Sequence, residues 1–383
     1  MPEIPLDPWL LTPGPLTTSA AVKAAMLHDR GSRDPAFLEI EARVRRRLVA
    51  LVHGEESHVC VPIQGSGTFA VEAMLGTFVP RDGRLLVLVN GAYGRRMVTI
   101  AQRLGRSVEA LEWPEDRAVE PEALARRLAR APAIDRVAVV HCETTAGVLN
   151  PLAEIAAVAA RFGAGLLVDA MSSFGVLPVD ARALPFTALA ASANKCLEGV
   201  PGVAFVLCRR EELEAAGRRG DAPSLVLDLA DQYAALERTG QWRFTPPTHV
   251  IAALDRALDE LEAEGGPPAR LARYRENMRI LLEGMRALGF EPLLSPEIQA
   301  PIIATFAVPA DPRFSFPRFY ELLRERGYVI YPGKLTREPS FRIGCIGRIG
   351  PEVMRGAVAA VREVLAVMGV ASGAPARATG AAA

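Results

Sequence analysis

Lys195 closes the segment Ala191-Ser192-Ala193-Asn194-Lys195, where its neighbours are small and uncharged. Such surroundings penalise the protonated amine, lower its pKa and make a Schiff base practical. A solvated lysine would leave the same trace, so the residue alone does not choose. Asp169 ends the apolar run Gly165-Leu166-Leu167-Val168 and leads into Ala170-Met171-Ser172-Ser173. A carboxylate at the mouth of a buried strand needs a cationic or hydrogen-bonding partner. It reads either as a helix cap or loop ion pair, or as the group that keeps a pyridinium nitrogen protonated. Gly65-Ser66-Gly67-Thr68 lets backbone amides approach a ligand at a helix start, which favours a phosphate. A plain turn with an N-cap explains it equally well. It has neither the Gly-Lys-Ser/Thr ending of a Walker loop nor the Gly-x-Gly-x-x-Gly of a dinucleotide site.

The elements that must hold these residues alternate. Strand-like runs at 58–63, 84–89, 136–140, 165–168, 188–191 and 202–207 are interleaved with helical patterns from about 68, 93 and 152. Short apolar strands between amphipathic helices predict an α/β fold with a mainly parallel sheet sandwiched by helices. The pattern changes after Pro246. Helices are expected over 248–264, 268–288, 317–326 and 351–368, with strands at 302–308, 328–330 and 340–343. This reads as a smaller α+β domain. The expected division is an N-terminal segment 1–18, a large domain 19–262, a small C-terminal domain 263–370 and a tail 371–383. The tail is Ala/Gly/Pro-rich without a period, which predicts disorder.

Lysine plus arginine and aspartate plus glutamate both number 44, so the formal charge of zero speaks against nucleic acid or an anionic membrane as partner. No apolar run approaches the roughly 18 to 20 residues that cross a bilayer. Met1-Pro2-Glu3 opens without a basic region and apolar core, and the five cysteines include no Cys-x-x-Cys pair. A reduced, cytoplasmic setting and no metal are the expectation.

Taken together, Gly65–Thr68, Asn90-Gly91-Ala92-Tyr93-Gly94, Glu143-Thr144-Thr145, Asp169 and Ser192…Lys195 occur in that order, each at an expected strand end. With Leu11-Thr12-Pro13-Gly14-Pro15, Trp242-Arg243-Phe244-Thr245, Tyr331-Pro332-Gly333-Lys334 and Phe341-Arg342-Ile343-Gly344, the chain resembles the class V, fold-type I pyridoxal-phosphate aminotransferases. The likeness covers about 11–365 and is nearest to the branch that moves an amino group from 2-aminoethylphosphonate to pyruvate. The resemblance implies pyridoxal 5'-phosphate as cofactor, a Schiff base on Lys195 and the ring nitrogen paired with Asp169. It further implies that Ser66, Gly67, Thr68 and Asn194 bind around the phosphate, Tyr93 stacks on the ring and Thr144 meets the ring hydroxyl. The segment 1–18 would line the active site. Thr245 would reach the phosphate of a neighbouring subunit, making a homodimer with shared sites, and Arg342 would bind the substrate's acid group. The products would be phosphonoacetaldehyde and L-alanine. An alanine– or serine–glyoxylate aminotransferase of the same family, and a non-catalytic relative of the fold, are the alternatives. Cys142 and Ala146 depart from the serine and threonine of the family's pattern, and 28–34 differs near the expected substrate end.

Overall fold

A computed structural model describes residues 7–376, apart from 131 and 336–338. Its centre is a seven-stranded sheet in the order His58–Gly65, Gly202–Arg209, Ala188–Ser192, Gly165–Asp169, Arg136–Val140, Arg84–Val89, Ser107–Glu112. All neighbouring pairs are parallel except those made by Gly202–Arg209, which runs antiparallel to both of its neighbours. The connection over 193–201 explains the exception. It is too short for the dozen or more residues that a parallel crossover needs, so the chain turns back on itself. Lys195 sits in that turn.

Side chains alternate across the sheet as a two-residue period requires. Leu86, Leu88, Val137, Val139, Leu166 and Val168 face one core, packed under helices that bring Phe37, Leu48, Leu124, Ile155 and Leu254. Leu85, Val87, Val89, Ala138, Val140 and Leu167 face the other, under helices that bring Met74, Phe78, Met97, Ile100 and Leu213. Both faces are therefore apolar, which is why these strands read as unbroken hydrophobic runs. Pro62 is accommodated because His58–Gly65 lies at the sheet's edge, where a missing N–H breaks no ladder.

The longer elements not expected from the sequence are the strand Ser107–Glu112 and the helices Pro121–Leu128, Arg210–Arg219 and Leu229–Thr239. Ser107–Glu112 carries two glutamates because it is the sheet's other edge and lies only half-buried. Local signals succeed where they are strong. At 34–36, Asp34 Oδ1 accepts from the Ala36 amide at 2.9 Å and Pro35 occupies the first helical position.

Beyond the long helices Thr248–Glu264 and Gly266–Ala287, a small antiparallel sheet orders Ile303–Ala307, Ser340–Gly344 and Tyr331–Pro332. Helices Phe316–Glu325 and Pro351–Met368 pack on it through Phe319, Leu323, Met354 and Val361. Phe306 and Phe341 stack there with ring centres 5.6 Å apart. The N-terminal segment joins this unit, Trp9–Leu10 pairing in parallel with Tyr328–Val329. Part of the tail departs from the disorder its composition predicts. Over 371–376 the chain is held by backbone bonds, Ala310 N–H to Ala374 O and Gly373 N–H to Leu288 O, with a bridge between Pro309 and Pro375. Backbone pairing needs no apolar side chain, so composition does not report it. The rest of the tail, 377–383, and the first six residues lie outside the described residues. Among those described, no helix is long and apolar enough to cross a membrane.

Candidate active site

Parallel sheets leave a crevice beyond the carboxyl ends of their strands. Here that crevice is a cavity of about 190 Å³ lined by Ser66, Gly67, Thr68, Tyr93, Thr144, Asp169, Asn194 and Lys195, together with Arg96, Met171 and Ser192. Eight of the ten residues expected at the site thus meet in one place. The other two do not line it. Thr245 lies in an adjacent groove with Phe69, Trp242 and Phe244. Arg342 is buried behind Thr144, donating from Nη1 to the Thr144 carbonyl at 2.8 Å and from Nε to the Pro332 carbonyl at 3.0 Å.

Asp169 is 5% exposed and accepts the Met171 amide at 3.0 Å on Oδ1. Burial pushes its pKa up to about 6; the Met171 amide pulls the other way, and the Glu143 charge reinforces the rise. A carboxylate so placed would be held ionised by a cation in the cavity, and a pyridinium nitrogen supplies one. The sign of the linkage is set by the raised value. The native state holds Asp169's proton to higher pH than the unfolded chain does, so stability falls as pH rises from the unfolded value near 4 through about 6. Asp169→Asn is therefore expected to stabilise the cofactor-free protein at pH 8 by about 1–3 kcal/mol, with no gain at pH 4, while weakening cofactor binding. Thermal unfolding of the apoprotein at the two pH values checks this; an apo variant no more stable than the parent at pH 8 would contradict it.

Ser66, on the same lining, caps the helix Gly67–Phe78 without a side-chain bond to it; its carbonyl takes the Phe69 amide, which leaves the Gly67 and Thr68 amides at the cavity unclaimed by the cap. Ser192 Oγ is buried with no hydrogen-bond partner among the described residues. Arg96 Nη1 donates to Thr68 Oγ1 at 3.2 Å. An amide cluster, an orphaned hydroxyl and a guanidinium fit a phosphate dianion. A side chain at Gly67 would run into the Met171 sulfur, so glycine keeps this end open. The residues present fit pyridoxal phosphate at both of its charged ends.

Lys195 lines the same cavity. Its Nζ donates to the Pro13 carbonyl at 2.6 Å, which ties the N-terminal segment to this lysine. Gly14 adopts φ +123°, and a Cβ there would sit 2.6 Å from Lys195 Cδ and Nζ. Burial lowers the amine's pKa against the pull of Tyr93, Cys196 and Asp169. That is the condition the sequence alone could only suggest.

Tyr93 is set by Glu143. This buried carboxylate accepts the Tyr93 and Gly94 amides, each at 3.2 Å, and the Thr145 amide and hydroxyl at 3.1 and 2.6 Å. It caps the helix Ala92–Arg103 and ties it to the loop carrying Thr144. A Cβ at Gly91 would meet the Glu143 side chain at 2.5 Å. Over the Tyr93 ring stand Arg96, 4.9 Å from the centroid, and Lys334 Nζ, 4.6 Å from it. Burial raises the phenol's pKa, but the Lys334 hydrogen bond and charge outweigh it and the net shift is downward. The sequence reading missed Arg96 and Ser192 as site residues. Arg96 had a signal: it follows Tyr93 by three positions, so on a helix the two share a face. Ser192 had only its place at a strand end.

The aminotransferase class-V family model matches residues 17–350, most of the chain. The chain is a class-V aminotransferase. Relatives of this aminotransferase include 2-aminoethylphosphonate–pyruvate transaminase 1 of Cupriavidus pinatubonensis, 57% identical over 364 residues, covering 95% of this chain and 96% of the relative. The 2-aminoethylphosphonate–pyruvate transaminase of Pseudomonas entomophila is 54% identical, with coverage of 95% and 98%. Among solved structures, pyridoxamine–pyruvate aminotransferase from Mesorhizobium loti superposes with a TM-score of 0.88 at 26% identity, over 97% of this chain and 96% of that one. A subgroup IV aspartate aminotransferase from Thermus thermophilus gives 0.82 at 26% identity, over 94% and 99%. Family and fold together make this a pyridoxal-phosphate enzyme of fold type I.

Proposed function

We propose that this aminotransferase moves the amino group of 2-aminoethylphosphonate to pyruvate, giving phosphonoacetaldehyde and L-alanine. The observation that carries the reading is full-length similarity, at 54–57% identity, to relatives bearing that name. The chemistry of the site agrees with it. Bound in the cavity, pyridoxal phosphate would supply a carbonyl for amine exchange and a ring that takes up the electron pair released at carbon. The chain's own residues do the rest. Ser66, Gly67, Thr68, Ser192 and Arg96 hold the phosphate end, and Asp169 holds a positive ring nitrogen. Tyr93 and Thr144 position the ring and its hydroxyl. Lys195 Nζ, freed when the incoming amine takes its place, would be the base that takes the proton from the substrate carbon and passes it on. Arg342, buried behind Thr144, attracts the anionic end of each substrate by its charge, because donor and acceptor both carry one.

Asn194 belongs beside the phosphate. Thr245 faces an apolar groove outside its own cavity, which supports the reading that it completes a neighbour's site in a homodimer. Exposed Phe69 and Phe244 at 49% and 47% flank that groove and suit burial against a second copy. The chain divides at 18, 262 and 370 into an N-terminal strap, a cofactor-binding unit and a small unit. A cytoplasmic location suits five unpaired cysteines.

The test is direct. Purified holoenzyme with 2-aminoethylphosphonate and pyruvate is expected to form L-alanine and phosphonoacetaldehyde faster than serine with glyoxylate forms glycine. Preference for serine and glyoxylate would replace this reading with the serine–glyoxylate one.

A further inference from the structure

The donor proposed above has an amine at one end and, two carbons away, a phosphonate that carries close to two negative charges above its second pKa, roughly 6 for a phosphate-like group. Pyruvate and L-alanine carry one carboxylate charge each. A site that serves both must treat their acid ends differently, and Arg342 alone does not. Its Nε and Nη1 already donate to the Pro332 and Thr144 carbonyls. A ligand therefore meets this guanidinium on its remaining edge and not through a full Nε–Nη fork, which limits how much of a dianion it can satisfy.

A second cation stands close by. Lys334 follows the strand Tyr331–Pro332, which pairs with the strand that carries Arg342, Tyr331 lying opposite Arg342. Its Nζ reaches across to the large sheet's side and donates to the Tyr93 hydroxyl at 3.1 Å. The residue is exposed, and an ammonium has three donors, of which Tyr93 takes one. Tyr93 and Thr144 line the cavity, and Arg342 grips Thr144, so Lys334 and Arg342 approach the cavity through adjoining residues. The electrostatics agree: the charge of Lys334 acts on both Tyr93 and Lys195, and that of Tyr93 acts on Arg342. A lone lysine donating to a phenol gains little by itself. An exposed ammonium beside a buried guanidinium is suited to a group with two charges.

We propose that Lys334 is the second cation for the phosphonate end of the donor and sets the enzyme's preference for an aminophosphonate over an amino acid. This rests on the aminophosphonate reading. In the free enzyme the Tyr93 hydroxyl holds the ammonium; in the donor complex a phosphonate oxygen takes one of its two other donors, while the carboxylate of L-alanine is met by Arg342. Lys334 touches no reacting carbon, so its part is recognition of substrate.

The experiment compares two half-reactions in the same preparation of holoenzyme. Amino transfer to the enzyme from 2-aminoethylphosphonate and from L-alanine is followed by the change in cofactor absorbance, in the parent, Lys334→Met and Lys334→Arg. The ratio of the two kcat/KM values is expected to fall by about tenfold or more in Lys334→Met, through KM for the phosphonate, and to return to within about threefold of the parent in Lys334→Arg. An equal loss on both donors would show a role in positioning Tyr93 only and overturn the proposal, as would an unchanged ratio. If the parent itself takes no amino group from 2-aminoethylphosphonate, the aminophosphonate reading falls and this proposal with it. A parent active on 2-aminoethylphosphonate whose ratio survives Lys334→Met removes this proposal alone.

Discussion

Lys195→Ala is expected to reduce amino transfer by on the order of 10⁴-fold or more, because one nitrogen has two tasks. The amine holds the cofactor covalently before substrate arrives and moves the proton afterwards, and no neighbour can take over either task. Tyr93, a titratable group on the same lining, has its hydroxyl engaged by Lys334. The phosphate end and Asp169 are untouched by the substitution, so the variant is expected to keep the cofactor without a bond. Borohydride treatment followed by intact mass separates the two states: the parent gains a stable adduct and the variant gains none. A variant that still forms the adduct would move the Schiff base to another lysine. Turnover within a hundredfold of the parent would remove Lys195 from the proton transfer.

The largest stability effect is expected at Glu198, three residues further along the same turn. Its carboxylate is 1% exposed and accepts from Tyr274 Oη at 2.5 Å and Arg273 Nη2 at 2.8 Å. Arg270, wholly buried, stands 3.7 Å away and also donates to the Cys196 carbonyl and to Glu264. Arg273 continues the network to the Gly347 and Ile349 carbonyls. Removing one partner of such a cluster leaves buried charge uncompensated, so Glu198→Ala is expected to cost about 3–5 kcal/mol. Glu198 also holds φ 61°, which alanine relieves no better than glutamate. Glu198→Gln keeps an acceptor for Tyr274 and should fall between. Urea unfolding of the three proteins measures the differences; a loss below about 1 kcal/mol for the alanine variant would mean the cluster behaves as a surface pair. The same turn carries Lys195, since Glu198 N–H bonds to the Lys195 carbonyl at 2.8 Å. Activity is therefore expected to fall further than stability alone accounts for.

The strands Arg84–Val89 and Arg136–Val140 were readable to the residue because both of their faces are buried. Ser107–Glu112 was not, since an edge strand keeps polar residues on its open side. The antiparallel course of Gly202–Arg209 leaves no mark in its own residues and follows only from the short connection before it. The site shows the same division. Ser66, Asp169 and Lys195 stand at strand ends, and strand ends are where a parallel sheet binds ligands, so order along the chain was enough to group them. Arg342 was expected at the substrate's acid group from the resemblance alone; it lies buried outside the cavity lining, because the sheet that bears it is pressed against the Thr144 loop.

The sequence by itself determined the alternation of strands and helices, the Schiff-base lysine candidate with its carboxylate partner, and the family. Each of these is written in local residue type or in short-range order. Only the tertiary structure decided that Pro13 reaches Lys195, that Glu143 seats Tyr93, and that Lys334 arrives from the small sheet at the same phenol. The participants in those contacts are 182, 50 and 241 residues apart along the chain. No periodicity or spacing rule spans such distances; they are set by how segments far apart in the chain pack together when their apolar faces are buried.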